Sequence, residues 1–245
     1  TCCNDLYKIR ITPIPEDTIT PPLPVDTLDS IAPDTVIVAL VDTFEIPKTV
    51  EELQYLLPIS LYFHNDRPDP RTFETTTQLD YSQTIEEYKG LEEEYLAVIA
   101  YAALDDTTKY AMYQRTKIFF NSKLTGSIDR VNAVLDVLLN ELNNGNSVTI
   151  AVKGYASPLA DSEYNLNLTY RRIDATENYI EQYADGAFFP FLDNDSTRLT
   201  IEKIPYGESK AATNVSDLGS DRLNSIYSPS AAAERRIEIL RVEKD

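Results

Sequence analysis

The stretch from residue 127 to residue 201 constrains the fold most, because its apolar spacing switches between the helical and the strand period. Before Asn143-Asn-Gly145, apolar residues recur at intervals of three and four, which predicts a helix with one apolar face: Val131, Val134, Leu135, Leu138, Leu139 and Leu142. An alternating strand follows from Val148 and ends at Gly154. A second helix is predicted from about Asn165 to Tyr183, with an apolar face of Leu166, Thr169, Ile173, Thr176 and Ile180.

Further strands are predicted on both sides of this stretch. Ile59 to Phe63 reads as a strand that enters a core, Leu199 and Ile201 mark the next strand, and Ile237 and Ile239 mark the last. The β-branched run from Val36 to Val41 is predicted as a further strand. The order of strands and helices predicts an α/β (α+β) two-layer sandwich, in which a sheet carries helices on one face.

Residues 65–125 are predicted to form a helical insertion after the first strand. Thr84-x-x-Glu87 is a capping-box pattern for a first helix, and Asp105 or Asp106 caps a second helix to about Phe120. The two helices would form a hairpin. The insertion is rich in tyrosine, which either packs the hairpin onto the domain or forms a protein interface: Tyr81, Tyr88, Tyr95, Tyr101, Tyr110 and Tyr113.

Residues 1–34 are predicted to form an extended arm before a domain that spans residues 35–245. Six of the 14 prolines lie between Pro13 and Pro33, in a stretch without lysine or arginine. The net charge of the chain is -18, which excludes a nucleic-acid partner since no basic stripe opposes it. No apolar run approaches the roughly 20 residues of a membrane-spanning helix.

Few residues are suited to catalysis. The chain has one histidine, His64, and two cysteines, which are adjacent, so it lacks the parts of a four-ligand zinc site or a Cys-His nucleophile pair. Ser157 lies in Gly-Tyr-Ala-Ser-Pro, which lacks the Gly-x-Ser-x-Gly pattern of a nucleophile elbow. We therefore expect a protein that is not an enzyme and that has no cofactor.

Several separated motifs resemble the OmpA-like C-terminal domain, a peptidoglycan-associating family. They cover residues 58–64 and 126–242 and comprise Gly154-Tyr-Ala-Ser-Pro-Leu-Ala-Asp-Ser-Glu-Tyr-Asn165, Leu168-Thr-Tyr-Arg-Arg172, Tyr206-Gly-Glu-Ser209 and Glu234-Arg-Arg-Ile-Glu-Ile239. The resemblance implies a mixed four-stranded sheet in the order βαβαβ-β, with helices on one face. It also implies a periplasmic, outer-membrane-associated location in a Gram-negative bacterium.

The resemblance further implies non-covalent binding of peptidoglycan peptide stems, with an aspartate and an arginine on the stem's ammonium and carboxylate. The arginine position is Arg172, the supporting asparagine is Asn165, and the arginine pair of the last strand begins at Arg235. Arg171 is expected to be solvated, and Asn165 is also a candidate helix N-cap.

The aspartate position of the family is Ser157, which cannot neutralise an ammonium group. Three interpretations stay open. Asp161 or Glu234 restores the missing charge, or the wall stem has a different chemistry, or wall binding is lost and the domain is a scaffold subunit of an outer-membrane protein complex.

The arm carries two kinds of candidate modification site. Four Asp-hydroxyl-aliphatic triplets resemble a bacterial O-glycosylation motif, with acceptors Thr18, Thr27, Ser30 and Thr35. Cys2 or Cys3 is predicted to carry a lipid that anchors the domain to the outer membrane.

Overall fold

The computed structural model describes residues 45–156, 160–192, 197–206 and 215–244, which belong to one compact unit of the chain, Asp42–Asp245. The strands are β1 (Ile59–Tyr62), β2 (Val148–Gly154), β3 (Leu199–Pro205) and β4 (Arg236–Lys244). They form a mixed four-stranded sheet in the order β1-β4-β2-β3. The mixed α+β architecture predicted from the sequence is therefore confirmed, whereas the strand predicted at Val36–Val41 lies outside the described residues.

The middle of the sheet is antiparallel and one edge is parallel. β4 pairs antiparallel with β1, where Ile59 faces Ile239, and antiparallel with β2. β3 lies parallel to β2, with Val148 opposite Leu199. A register shift between Ala151 and Val152 marks a bulge in the pairing of β2 with β4.

Eight α-helices accompany the sheet in the described part of the chain. Their bounds are α1 (Val50–Leu53), α2 (Tyr81–Lys89), α3 (Glu92–Tyr101), α4 (Asp106–Ile118), α5 (Thr125–Asn143), α6 (Ser162–Gly186), α7 (Phe189–Leu192) and α8 (Pro229–Glu234). π-Helical turns occupy Phe119–Leu124, between α4 and α5, and Leu223–Tyr227, before α8. No helix in these described ranges is long and apolar enough to span a bilayer.

Helices α5 and α6 pack against the sheet, and their apolar faces join it in one core. The predicted apolar positions of α5 are buried, apart from the partly buried Leu139. A Cβ atom on Gly154 would lie 2.3 Å from Cγ2 of Thr169, so the close approach of α6 to β2 requires glycine there. The opposite face of the sheet carries the half-exposed ion pair between Arg241 and Glu202.

Two predictions about the ends of helices were wrong. The N-cap of α2 is Asp80, which forms a capping box with Gln83, whereas the hydroxyl of Thr84 is buried and donates to the carbonyl of Tyr81. The N-cap of α6 is Asp161, so Asn165 lies inside the helix. In both cases the motif recognised in the sequence lies one turn after the residue that begins the helix.

The insertion contains three helices instead of the predicted two. The apolar series from Ile85 to Ala102 is divided at Gly90, so α2 and α3 are separate helices. The predicted cap Asp105 does begin α4, but α4 then continues through the π-helical turn directly into α5. Leu166, predicted on the apolar face of α6, is 39% exposed because it lies near the solvent-facing start of that helix.

Candidate functional site

Residues 64–79 link β1 to α2 and lie along helix α6; we call this segment the strap. Side chains of α6 hold the strap by its main chain. The carboxylate of Asp174 accepts the N–H of Thr77 at 2.7 Å, and the amide of Asn178 donates to the carbonyls of Thr77 and Leu79 at 2.9 and 3.1 Å. Backbone groups of the strap thus find partners on a helix instead of on a neighbouring strand.

Arg172 forms hydrogen bonds with the start of the strap. Its side chain is fully buried, and its Nε donates to the carbonyl of Arg67 at 3.0 Å. Nη1 donates to the carbonyl of Tyr155 at 2.8 Å, and Nη2 donates to that of His64 at 3.4 Å. The arginine that the resemblance assigned to a ligand carboxylate therefore binds three carbonyls of its own chain.

Arg171 fastens the middle of the strap and is also fully buried, so the expectation that it is solvated was wrong. Its Nε donates to the carbonyl of Pro68 at 3.3 Å, and Nη1 donates to those of Thr72 and Glu74 at 2.9 and 2.5 Å. Nη2 is buried without a partner. Burial follows from the strap, which covers the side of α6 that would otherwise face solvent.

Arg235 lies in a third buried position, next to the insertion. Its Nη2 donates to the hydroxyl of Tyr95 at 3.1 Å and to the carbonyl of Ile226 at 2.8 Å. The Tyr95 hydroxyl also lies 3.1 Å from Nδ1 of His64 and 3.1 Å from the hydroxyl of Tyr88. A buried polar network therefore connects the end of α8, the strap and helices α2 and α3.

The charges of this network are positive. Burial, and then the charges of Arg235, Arg67 and Arg172, lower the pKa of His64 to about 3, so this imidazole is neutral at neutral pH. Burial and the neighbouring guanidinium groups of Arg235 and Arg171 lower the pKa of Arg172 to about 9. Arg171, Arg172 and Arg235 form no salt bridge with any residue in the described ranges.

The strap is also strained at its start. Asp66, Asp69 and Arg71 adopt positive φ angles of 56°, 48° and 62°, which non-glycine residues rarely adopt. The hydroxyl of Tyr164, on α6, donates to the carboxylate of Asp66 and accepts the N–H of Arg71 at 2.9 Å. Contacts with α6 therefore hold a backbone that costs about 1 kcal/mol or more at each such position.

The other predicted ligand-binding residues lie near the start of α6. The carboxylate of Asp161 accepts the N–H of Tyr164 at 2.8 Å as the N-cap, and the amide of the buried Asn165 donates to the carbonyl of Ala160 at 2.9 Å. Ser157 lies outside the described residues, as do Cys2, Cys3 and the acceptors Thr18, Thr27, Ser30 and Thr35. The structure brings both Arg172 and Arg235 near His64: Arg172 donates to its carbonyl, and Arg235 donates to the Tyr95 hydroxyl that contacts its imidazole.

A second group of charged and aromatic side chains lies at the end of β2. The ammonium of Lys153 lies 4.0 Å from the ring centre of Tyr206, and the guanidinium carbon of Arg236 lies 4.4 Å from that of Tyr155. Arg236 also pairs with Glu238 at 2.7 Å and with Glu234 at 3.7 Å. We call Lys153, Tyr155, Tyr206, Glu234 and Arg236 the edge cluster.

Sequence reasoning missed Arg171, His64 and Tyr95 as members of the buried network. The available signal was the polar run His64-Asn-Asp-Arg-Pro-Asp-Pro70, whose backbone groups need partners wherever it is buried. The tyrosines of the insertion divide between buried and exposed positions. Tyr81, Tyr88 and Tyr95 pack in the core, whereas Tyr101 and Tyr110 are exposed.

Comparisons of the chain with protein-family models, with curated proteins and with solved structures gave no match. The OmpA-like resemblance therefore rests on the motifs in the sequence. Across residues 45–156, 160–192, 197–206 and 215–244, no group of three or more His, Cys, Asp or Glu side chains is arranged to hold a metal ion.

Proposed function

We propose that the chain is a divergent OmpA-like module of the bacterial cell envelope that serves as a scaffold subunit of an outer-membrane protein assembly. One observation carries this choice. Arg172, the position of the family's ligand-binding arginine, is fully buried and donates to the chain's own carbonyls at His64, Arg67 and Tyr155. A free peptide carboxylate would have to displace the strap to reach it.

The chemistry of the neighbouring positions supports the same choice. Asp161, a candidate for the missing anion, already accepts the N–H of Tyr164 as a helix cap. The aspartate position itself is Ser157, which has no charge. A scaffold uses the rigidity of the domain instead of an open ligand pocket, and a buried network of arginines and tyrosines supplies rigidity.

The location implied by the resemblance is the periplasm, in association with the outer membrane. The arm separately predicts a lipid anchor at Cys2 or Cys3 and glycans at Thr18, Thr27, Ser30 and Thr35. Mass spectrometry of the N-terminal peptides of the native protein tests both modifications. A lipid on either cysteine supports the anchor, and an unmodified peptide contradicts it.

The test of the scaffold function is mild-detergent purification of the native protein, followed by mass spectrometry of its stoichiometric partners. We expect one defined set of outer-membrane proteins. A parallel cosedimentation with purified peptidoglycan is expected to leave the wild-type chain in the supernatant. Pelleting with the wall and the absence of a stoichiometric partner would together overturn the scaffold proposal.

Wall binding is the second candidate, and the edge cluster favours it. Arg236 and Glu234 place a cation and an anion side by side, with 22% and 12% of their side chains exposed. A diaminopimelate end bears an ammonium and a carboxylate close together, so this pair has complementary charges. Tyr155 of the cluster lies two positions before Ser157 in the sequence, the position at which the resemblance implies the peptide stem.

Cosedimentation separates this candidate from the scaffold function. If the edge cluster binds the wall, Arg236→Ala is expected to reduce pelleting several-fold, and Ser157→Asp is expected to increase it. Arg241→Ala is the matched control, because Arg241 lies on the same strand but pairs with Glu202 on the exposed face of the sheet. Equal pelleting of all variants would remove the edge cluster from consideration.

A further inference from the structure

A pocket of about 480 Å³ lies between α4, the π-helical turn that follows it, and α8. Its apolar wall includes Met112, Ile118, Phe119 and Pro229. Two cationic residues, Arg115 and Lys123, also line it. We call it the basic pocket. Its volume lies within the range of about 300 to 1,000 Å³ that is typical of ligand sites in proteins.

Neither of the two segments that line the basic pocket contains an acidic residue. Residues 107–128 carry four basic residues and no acidic one, and residues 222–233 carry one basic residue and no acidic one. The whole chain has 40 acidic residues and a net charge of -18. The fold thus brings these two segments together around one pocket, and the carboxylate of Asp221, the residue just before the second segment, accepts from the lining residue Asn224 at 3.1 Å.

The cations of the pocket are available to a ligand. Arg115 and Lys123 are exposed, and neither forms an ion pair or a side-chain hydrogen bond with any residue that the structure describes. By contrast, Lys117, in the same segment, pairs with Glu92 at 3.3 Å. In so acidic a chain, unpaired cations at an apolar pocket create a local field that attracts an anion.

We infer that the basic pocket docks a short acidic peptide segment of a partner protein, with carboxylates on Arg115 and Lys123 and an aliphatic side chain against Met112, Ile118 and Phe119. This inference rests on the proposed scaffold function, for which it supplies a docking site. The occupant follows from charge complementarity at the pocket together with its apolar wall.

A peptide fits better than an extended anionic surface. The Debye length is about 8 Å at physiological ionic strength, so a short segment at the pocket experiences mainly the local cations. A bilayer or a polyanion would also face the rest of a chain whose net charge is -18, including Asp105 and Asp106 at the start of α4.

The experiment measures fluorescence anisotropy with the full chain and a fluorescein-labelled peptide of alternating leucine and glutamate. We expect saturable binding that weakens as the salt concentration rises, and at least tenfold weaker binding after the double substitution Arg115→Glu and Lys123→Glu. Lys109→Glu is the matched control, since Lys109 lies on α4 but outside the pocket lining. This control is expected to bind the peptide like the wild type.

Three outcomes would overturn the inference: no saturable binding, equal binding of a leucine-glutamine peptide, or equal binding by the double variant. Flotation with phosphatidylglycerol vesicles forms a separate arm, and vesicle binding that depends on Arg115 and Lys123 would also overturn the peptide assignment. Unchanged thermal unfolding of the double variant shows that lost binding is not lost folding.

The proposed function and the inference can fail separately. If the wild type and the double variant co-purify with the same partners, the proposed scaffold function stands and the pocket is rejected as its docking site. If the chain binds the peptide but has no native partner, the pocket remains an acidic-peptide site and the proposed scaffold function is rejected.

Discussion

Arg172 and Arg115 are both helical arginines, yet the strap region and the basic pocket use them in opposite ways. Arg172 is fully buried and donates to three carbonyls of its own chain, whereas Arg115 is exposed and has no ion pair within the described residues. The motif spacing pointed to Arg172 as the ligand-binding residue. The comparison teaches that burial and the use of donors, more than motif position, decide whether an arginine is free for a ligand.

Replacing the arginine by methionine in each region should give the largest difference in stability between them. Arg172→Met leaves three carbonyls without their donor, and hydrogen bonds to a charged group contribute about 1.5–3 kcal/mol each. Relief of an unpaired buried charge offsets part of this, so we expect a loss of about 3–5 kcal/mol in the free energy of unfolding. Denaturant unfolding measures it. Arg115→Met, the exposed counterpart, should change stability by less than about 0.5 kcal/mol, and equal losses would erase the contrast.

Substitutions at two tyrosines test whether the part of the buried network in the insertion stabilises the fold. Tyr95→Phe removes the hydroxyl that accepts from Arg235 and contacts His64, and Nε of Arg235 already lacks a partner. We expect a loss of about 1–3 kcal/mol in unfolding free energy. Tyr110→Phe is the control, because Tyr110 is 54% exposed. A Tyr95→Phe protein as stable as this control would show that the hydroxyl network does not stabilise the fold.

The histidine-linked pH dependence of the unfolding free energy should arise in the strap, since His64 is the chain's one histidine. Its folded pKa of about 3 lies below the ordinary value of 6.5, because burial and the arginine charges disfavour the proton. The unfolded chain therefore gains the proton first as the pH falls, and stability is lost from pH 6.5 downward towards the folded pKa. This group contributes a loss of up to about 2 kcal/mol between pH 7 and pH 5.

Denaturant unfolding at both pH values, for the wild type and for His64→Gln, measures this contribution. The variant should lack the histidine-linked part of the decline, whatever its stability at pH 7. Identical pH dependence in the two proteins would mean that His64 gains its proton equally in the folded and unfolded states.

The smallest expected effect concerns the strap alone. Tyr164→Phe removes the hydroxyl that contacts Asp66 and the N–H of Arg71, and we expect a loss of about 1 kcal/mol with faster amide hydrogen exchange confined to the strap. Tyr170→Phe, on the exposed side of the same helix, is the control. Faster exchange throughout the domain would show that the strap does not open independently.

Much of the architecture could be predicted because it depends on periodicity. The strands at Ile59, Val148, Leu199 and Ile237 and the helices at residues 127–143 and 165–183 follow from the spacing of apolar residues. The division of α2 from α3 at Gly90 was missed, since the apolar series continues across the break. The basic pocket was missed because its two acid-free segments are about a hundred positions apart, although a windowed charge count would have drawn attention to residues 107–128.

The sequence by itself determined the mixed α+β architecture, the candidate positions Arg172 and Arg235, and a net charge of -18. Only the tertiary structure decided what those arginines do. An arginine that binds a ligand and an arginine that donates to the carbonyls of a loop can occupy the same motif position on a helix. The difference arises because the polar strap lies over α6, where its carbonyls, removed from water, take the guanidinium donors for themselves.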